Sequence, residues 1–313
     1  MSKSLAYTLS LLLLLMITIT IAKFLEIHSA PIPEKKIVDE VATSYPKTIA
    51  PLIVEDTIHI AGYFNYIDSL VSQYDPLTNY RLTEHLLVNA NPWIIDTLAH
   101  TDYYHMIQRD SFVFDQRKMI VFYPKNTLKI PDSLEAVTIN TLFSKTNIDV
   151  NLPEYKLRIY RDSIPLYTMP IRIGQNKSKY LKMGDRITNL RTLTGEGHIS
   201  GFQRDPDFYD PVTGKPFHYT TRDDGQLTLM PQIPWILTEI NGAMNGQLIH
   251  PTTNPKTLGK AYSNGCIGVK ESDAWVIYYQ CPIGTPLRIR YDLQITTAND
   301  SIIILPDVYH RNP

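Results

Sequence analysis

LIHPTTNPKTLGKAYSNGCIGV, residues 248–269, holds the chain's most informative chemistry. Cys266 follows Gly265 and precedes the β-type run Ile267-Gly268-Val269, and His250 stands upstream after the apolar pair Leu248-Ile249. A thiol attacks as its thiolate, and near neutral pH it needs a base or a cationic partner to reach that form. A His on one strand and a Cys at the start of the next, joined by a surface loop, can be brought within hydrogen-bond reach. Gly265 permits a tight turn whose backbone N–H groups point at a developing oxyanion. The residues alone leave two readings open, a reactive dyad or a small buried thiol beside an unrelated His.

Around this stretch the pattern is that of strands. Residues 148–174 (IDVNLPEYKLRIYRDSIPLYTMPIRIG) alternate over Tyr155, Leu157 and Ile159, turn at Arg161 to Ser163 and alternate again to Ile173, which predicts a hairpin. LTLMPQIPWILTEI (227–240) predicts a strand pair broken by prolines. ESDAWVIYYQ (271–280) predicts a short helix stopped at Pro282-Ile283-Gly284, and Pro286 to Tyr291 a closing strand. Earlier in the chain, GYFNYIDSLVSQY (62–74) spaces Phe64, Ile67, Leu70 and Val71 as one helix face. Leu82 to Leu98 reads as two short helices parted by Asn91-Pro92, and Met119–Tyr123 and Asn126–Pro131 as short strands.

A chain of 313 residues predicts about two domains. Lys plus Arg is 30 against 31 Asp plus Glu, so charge gives no reason to expect a nucleic-acid partner. Twenty Tyr against nine Phe, with 22 Pro, favour strands and half-wet grooves over long helices. Cys266 and Cys281, the two cysteines, exclude a disulfide framework or a four-cysteine zinc site. Neither HExxH, CxxC, GxGxxG, a P-loop nor GxSxG occurs. His100 and His105 are spaced off one helical face, and Asp205, Asp207 and Asp210 lack the Gly and Glu of a cation loop. No metal and no cofactor is expected, and Cys281 reads as a buried structural thiol.

The segment at 248–269 resembles the signature of the YkuD-type L,D-transpeptidases, a His, a loop, then Ser/Thr-His-Gly-Cys, an apolar residue and Arg or Asn. The matching residues are His250, Ser263, Gly265, Cys266 and Ile267. Leu258-Gly259, Asp273-Ala274, Gly284-Thr285-Pro286, the Leu157–Tyr160 hairpin, Ile173-Gly174 and Thr194-Gly195-Glu196-Gly197 match flanking elements, so the likeness spans about 147–292. It departs at Asn264, where the family has its second His, and at Gly268, where it has Arg or Asn. The resemblance implies Cys266 as nucleophile and His250 as base, with a backbone carbonyl such as that of Pro251 orienting the imidazole. It implies an oxyanion hole at Gly265 and Cys266, with Ser263 and Asn264 shaping the turn. Substrate contacts are expected near Gly268, with Lys270 or Lys260 as a stand-in for the missing side chain. Leu86–Ile94 and Leu128–Pro131 resemble parts of a LysM glycan-binding module.

The implied function is peptidoglycan L,D-transpeptidation. Cys266 would form a thioester with a peptide stem, and a neighbouring amine would resolve it into a cross-link. The alternatives are an L,D-carboxypeptidase that hydrolyses the same bond and an inactive relative that only binds cell wall. Residues 5–22 (LAYTLSLLLLLMITITIA) are uncharged and follow Lys3, which reads as a signal anchor or a signal peptide. The chain is expected in the cell envelope, anchored in the cytoplasmic membrane through residues 5–22 with its catalytic domain outside, or secreted to the periplasm if cleaved. The expected organisation is an anchor or signal over 1–22, a linker over 23–50 and a small α+β domain over 51–146. A mostly β, sandwich-like catalytic domain with one short helix follows over 147–292, then a C-terminal extension over 293–313.

Overall fold

In the computed structural model, residues 49–297 and 299–311 are described. The expected membrane segment 5–22 and most of the linker lie outside them. Among the described residues no helix is long and apolar enough to cross a membrane.

The alternating run from 148 onward folds as its pattern predicts. Strands β1 (Thr146–Asn151), β2 (Lys156–Arg161) and β3 (Ile164–Pro170) pair antiparallel in sequence, with Ile148 opposite Ile159 and Leu157 opposite Met169. Asp162 turns β2 into β3 at φ 51°, a left-handed conformation that Asp tolerates. Strands β4 (Gly195–Gln203), β5 (Trp235–Ile240), β6 (Leu248–Pro251), β7 (Ile267–Val269) and β8 (Pro286–Arg290) complete an eight-stranded sheet. Its order is β7-β6-β5-β4-β8-β1-β2-β3, antiparallel except at β6/β7 and β8/β1. The chain leaves β3 at Pro170 and at once, at Arg172, bridges Gly268 in β7 at the far end of the order. That bridge brings the two ends of the sheet together, so the wall is barrel-like. Ile148, Leu157, Ile159, Ile236, Ile249, Ile267 and Ile289 are buried along it. Each such side chain contributes roughly 1.5–3 kcal/mol on leaving water.

Two sequence expectations change. Leu227–Leu229 pairs with Tyr219–Thr221 and not with β5. Pro231 and Pro234 lie between the two strands, and a proline cannot donate to a ladder, so the chain changes sheet there. The mostly β character holds only for the later part, and the described chain as a whole is mixed α+β. Ahead of the sheet stand α1 (Ile60–Tyr74), α2 (Glu84–Asn89), α3 (Trp93–Ala99), α4 (Tyr103–Ile107) and α5 (Ser133–Ser144), with two short ribbons. Helix α1 buries Ile60, Tyr63, Phe64, Ile67 and Leu70 along one stripe. Thr83 caps α2 by accepting the Leu86 N–H at 3.2 Å. Helix α5 has no clear apolar stripe in the sequence. It starts where the Asp132 carboxylate accepts the Glu135 N–H at 2.9 Å, and it buries only Ala136 and Ile139.

Helix α6 (Glu271–Gln280) joins these regions. Its Trp275, Tyr278 and Tyr279 are buried, with Trp275 6.0 Å from the Phe64 ring and 6.3 Å from the Tyr63 ring. Helices α2 and α3 pack on the same helix, and Lys47–Pro313 form one compact unit.

Candidate active site

His250 lies in β6 and pairs across the parallel ladder with Gly268 of β7, just as Ile249 pairs with Ile267. Alternate strand positions share a face, so Cys266, one residue ahead of β7, faces the same side as His250. Ile249 and Ile267 face the other side and are fully buried. Diagonal neighbours of this kind stand roughly 7–8 Å apart at the backbone, which an imidazole and a thiol can span. Parallel neighbours need a long crossover. Residues 252–266 provide it, held down by Gly259 N–H to Ile171 C=O at 2.8 Å and Ile173 N–H to Lys260 C=O at 3.1 Å.

The Nδ1 of His250 bonds the Pro251 carbonyl at 2.9 Å, the backbone acceptor expected for it. Donation from Nδ1 leaves Nε2 unprotonated, the form a base needs. Burial, and then the nearby Arg172 guanidinium, push the His250 pKa down to about 4, against the pull of the Pro251 carbonyl. The imidazole is therefore neutral at pH 7. Burial pushes the Cys266 thiol up, while the Leu248 backbone N–H and Arg172 pull it back. Cys266 is half-buried, and its Sγ lies 3.9 Å from the Gly246 carbonyl. The thiol and the neutral imidazole share one face of the β6–β7 pair, an arrangement open to general-base activation.

The turn ahead of β7 is tightly held. Ser263 is buried, donates to the Cys266 carbonyl at 2.5 Å and accepts the Gly265 N–H at 3.2 Å. Gly265 has φ 121°, which a residue with a Cβ rarely adopts. Its carbonyl accepts from the Thr192 hydroxyl at 2.9 Å, and that hydroxyl accepts the Gly174 N–H at 2.8 Å. Thr192 N–H donates to the Tyr309 hydroxyl at 3.1 Å, which donates to the Gly174 carbonyl at 2.8 Å. The C-terminal extension thus props the Gly265–Cys266 turn, a contact with no local signature in the sequence.

Asn264 is half-buried within that turn, and Lys270 sits half-buried at the start of α6. Gly268 is buried beneath Arg172. A Cβ placed on Gly268 would stand 2.4 Å from Arg172 Nε, 2.6 Å from its Cγ and 2.9 Å from its Cδ. Sequence reasoning looked to Lys270 at this place and missed Arg172. The available signal was a cation set between two core isoleucines, Ile171 and Ile173.

A cavity of about 340 Å³, lined by Arg117, Asp205, Phe208, His218 and Met230 among others, lies close by. The Phe208 ring is 5.5 Å from Trp235, whose ring is 5.6 Å from His250. His100 and His105 have ring centroids 5.9 Å apart, and among the described residues no three metal-ligating side chains cluster. Cys281 is sealed in the core, and burial pushes its thiol up.

The structures that the chain resembles include an L,D-transpeptidase from Mycobacterium smegmatis, at 16% identity over 47% of this chain and 58% of that one, with a TM-score of 0.32. L,D-transpeptidase 1 of Mycobacterium tuberculosis matches at 17% identity over 46% of this chain and 60% of that one, with a TM-score of 0.30. An L,D-transpeptidase from Xylanimonas cellulosilytica matches at 12% identity over 77% of this chain and 99% of that structure, with a TM-score of 0.35. The chain spans about six-tenths of the length of the mycobacterial structures. No curated protein matches it. Over residues 145–289 the chain matches the model of the YkuD family, described as an L,D-transpeptidase catalytic domain.

Proposed function

We propose that the protein is a peptidoglycan L,D-transpeptidase with Cys266 as nucleophile and His250 as general base. The observation that carries this reading is the parallel register of β6 and β7. It sets the thiol and the imidazole on one face, with the Pro251 carbonyl holding Nδ1. Cys266 Sγ attacks the carbonyl carbon at the L-centre of a diaminopimelate-type residue while His250 Nε2 takes the thiol proton. The oxyanion collapses, the C–N bond to the terminal D-Ala breaks, and His250 returns its proton to the departing amine. A thioester remains on Cys266. The side-chain amine of a neighbouring stem attacks it, losing its proton to His250, and the thiol is regenerated with a direct cross-link formed. The Cys266 backbone N–H is the donor proposed for the developing charge, since the Gly265 N–H is already held by the Ser263 hydroxyl at 3.2 Å. The cavity beyond Trp235 is the space in which a stem would lie. Residues 5–22 would hold this chemistry at the outer side of the cytoplasmic membrane, within reach of the wall.

The test is mass spectrometry of muropeptides after incubation of the protein with disaccharide tetrapeptides. A cross-linked dimer with loss of D-Ala, absent in Cys266→Ala, is the expected product. Tripeptide alone would make the enzyme a carboxypeptidase. No change, together with retention on sedimented wall, would replace the enzyme with a wall-binding relative.

A further inference from the structure

We propose that Arg172 supplies the positive charge beside the Cys266 sulfur and so takes, from outside the motif, the place that Gly268 leaves open. The geometry has three parts. The Arg172 N–H donates to the Gly268 carbonyl at 2.9 Å and the Gly268 N–H to the Arg172 carbonyl at 3.0 Å, so the two backbones are locked together. The Arg172 stem then lies directly on the Gly268 Cα, where only a residue without a Cβ leaves room. The guanidinium it carries is half-buried and not neutralised. Among the described residues it pairs with no carboxylate, its Nε is buried without a partner, and its NH1 reaches only the Thr257 hydroxyl at 3.3 Å.

A partly buried cation without an anion costs free energy. The anion that would offset that cost is the Cys266 thiolate. The titratable groups facing the guanidinium are Cys266 from the nucleophile turn, His250 from β6 and Tyr262 from the 261–263 strand. Lys256, on the loop above, is held by the Asp223 carbonyl at 2.9 Å. Arg172 favours the thiolate and opposes the imidazolium, so removing its charge raises both pKa values together. A residue that merely filled space would move neither.

The inference rests on the transpeptidase reading only for what the thiolate attacks, and its test needs no peptide. Iodoacetamide alkylation, in which the thiolate sulfur displaces iodide, is followed by intact mass from pH 5 to 10. Cys281 is fully buried and does not compete. In Arg172→Met the midpoint should rise by about one unit, slowing alkylation about tenfold at pH 7 and at every pH below the wild-type midpoint. Arg172→Lys should recover part of the shift. Gly268→Ala, which keeps the charge and pushes the stem aside, should shift the midpoint the same way by less. An unmoved midpoint in folded Arg172→Met overturns the proposal. If that variant does not fold, an unmoved midpoint in Gly268→Ala does so. Failure of the transpeptidase reading would show separately, as a wild type that alkylates normally and leaves muropeptides unchanged.

Discussion

The surroundings of His250 keep it neutral, as the general-base role proposed for it requires. Burial and Arg172 hold its pKa at about 4, well below the ordinary imidazole value. A carbapenem acylates enzymes of this family, which gives a readout at Cys266 by intact mass. The acid limb of acylation should lie near pH 4, so wild type at pH 5.5 should keep most of its rate at pH 7. A limb near pH 6.5 would show an ordinary imidazole and a misplaced base. His250→Ala should slow acylation roughly 10²–10⁴-fold at pH 7. Asn264→Ala should cost far less, because Asn264 shapes the turn and takes no proton. Equal losses in the two variants would assign the base wrongly.

Helix α6 is the element on which the sheet and the earlier helices meet. Glu84, at the start of α2, accepts from the Tyr279 hydroxyl at 2.7 Å and the Tyr278 hydroxyl at 3.0 Å and pairs with Arg204. Arg204 also reaches Asp68 at 2.8 Å, and the Tyr63 and Tyr279 hydroxyls bond at 2.6 Å. Glu84→Ala takes the shared acceptor from two buried hydroxyls and leaves Arg204 with Asp68 as its one carboxylate partner, and should cost about 2–4 kcal/mol in urea unfolding. Glu84→Gln, which keeps one acceptor, should cost less, and equal costs would show that the hydroxyls do not depend on it. At the N-terminus of α6, Glu271 accepts the Tyr103 N–H at 2.9 Å, and its other carboxyl oxygen is buried unpartnered. Burial and then Asp102 raise its pKa well above the carboxylate range. A carboxyl raised in the fold stabilises the fold fully only below its unfolded pKa, and that stability is lost as pH rises. Glu271→Gln should therefore gain on wild type between pH 5 and pH 8. A difference independent of pH would show Glu271 charged in the fold.

For the whole molecule, the aromatic cluster decides what can be cut away. Tyr63, Phe64 and Phe122 from the earlier region pack with Trp275, Tyr278 and Tyr279. A chain beginning at Lys47 keeps every contact described and should be soluble and monodisperse. A chain beginning at Thr146 bares three large aromatic side chains on α6 and should aggregate. Size-exclusion chromatography of the two separates the cases, and a well-folded 146–313 fragment would show that α6 does not need its cover.

Local pattern was enough where the physics is local. Alternation in 148–174 determined the hairpin, the 3.6-residue period determined α1, and the His–Gly-Cys spacing singled out the candidate site. Helix α5 escaped because its only strong signal is the Asp132 cap. The contacts that tune the site were beyond the sequence for a different reason. Arg172 meets Gly268, and Tyr309 meets Thr192, only because the sheet closes on itself and the tail folds back under it. The sequence by itself determined which groups could do chemistry and on which strands they stand. The tertiary structure decided how far each is from water and which charge stands beside it, because desolvation and Coulomb interactions depend on distance through space and not along the chain.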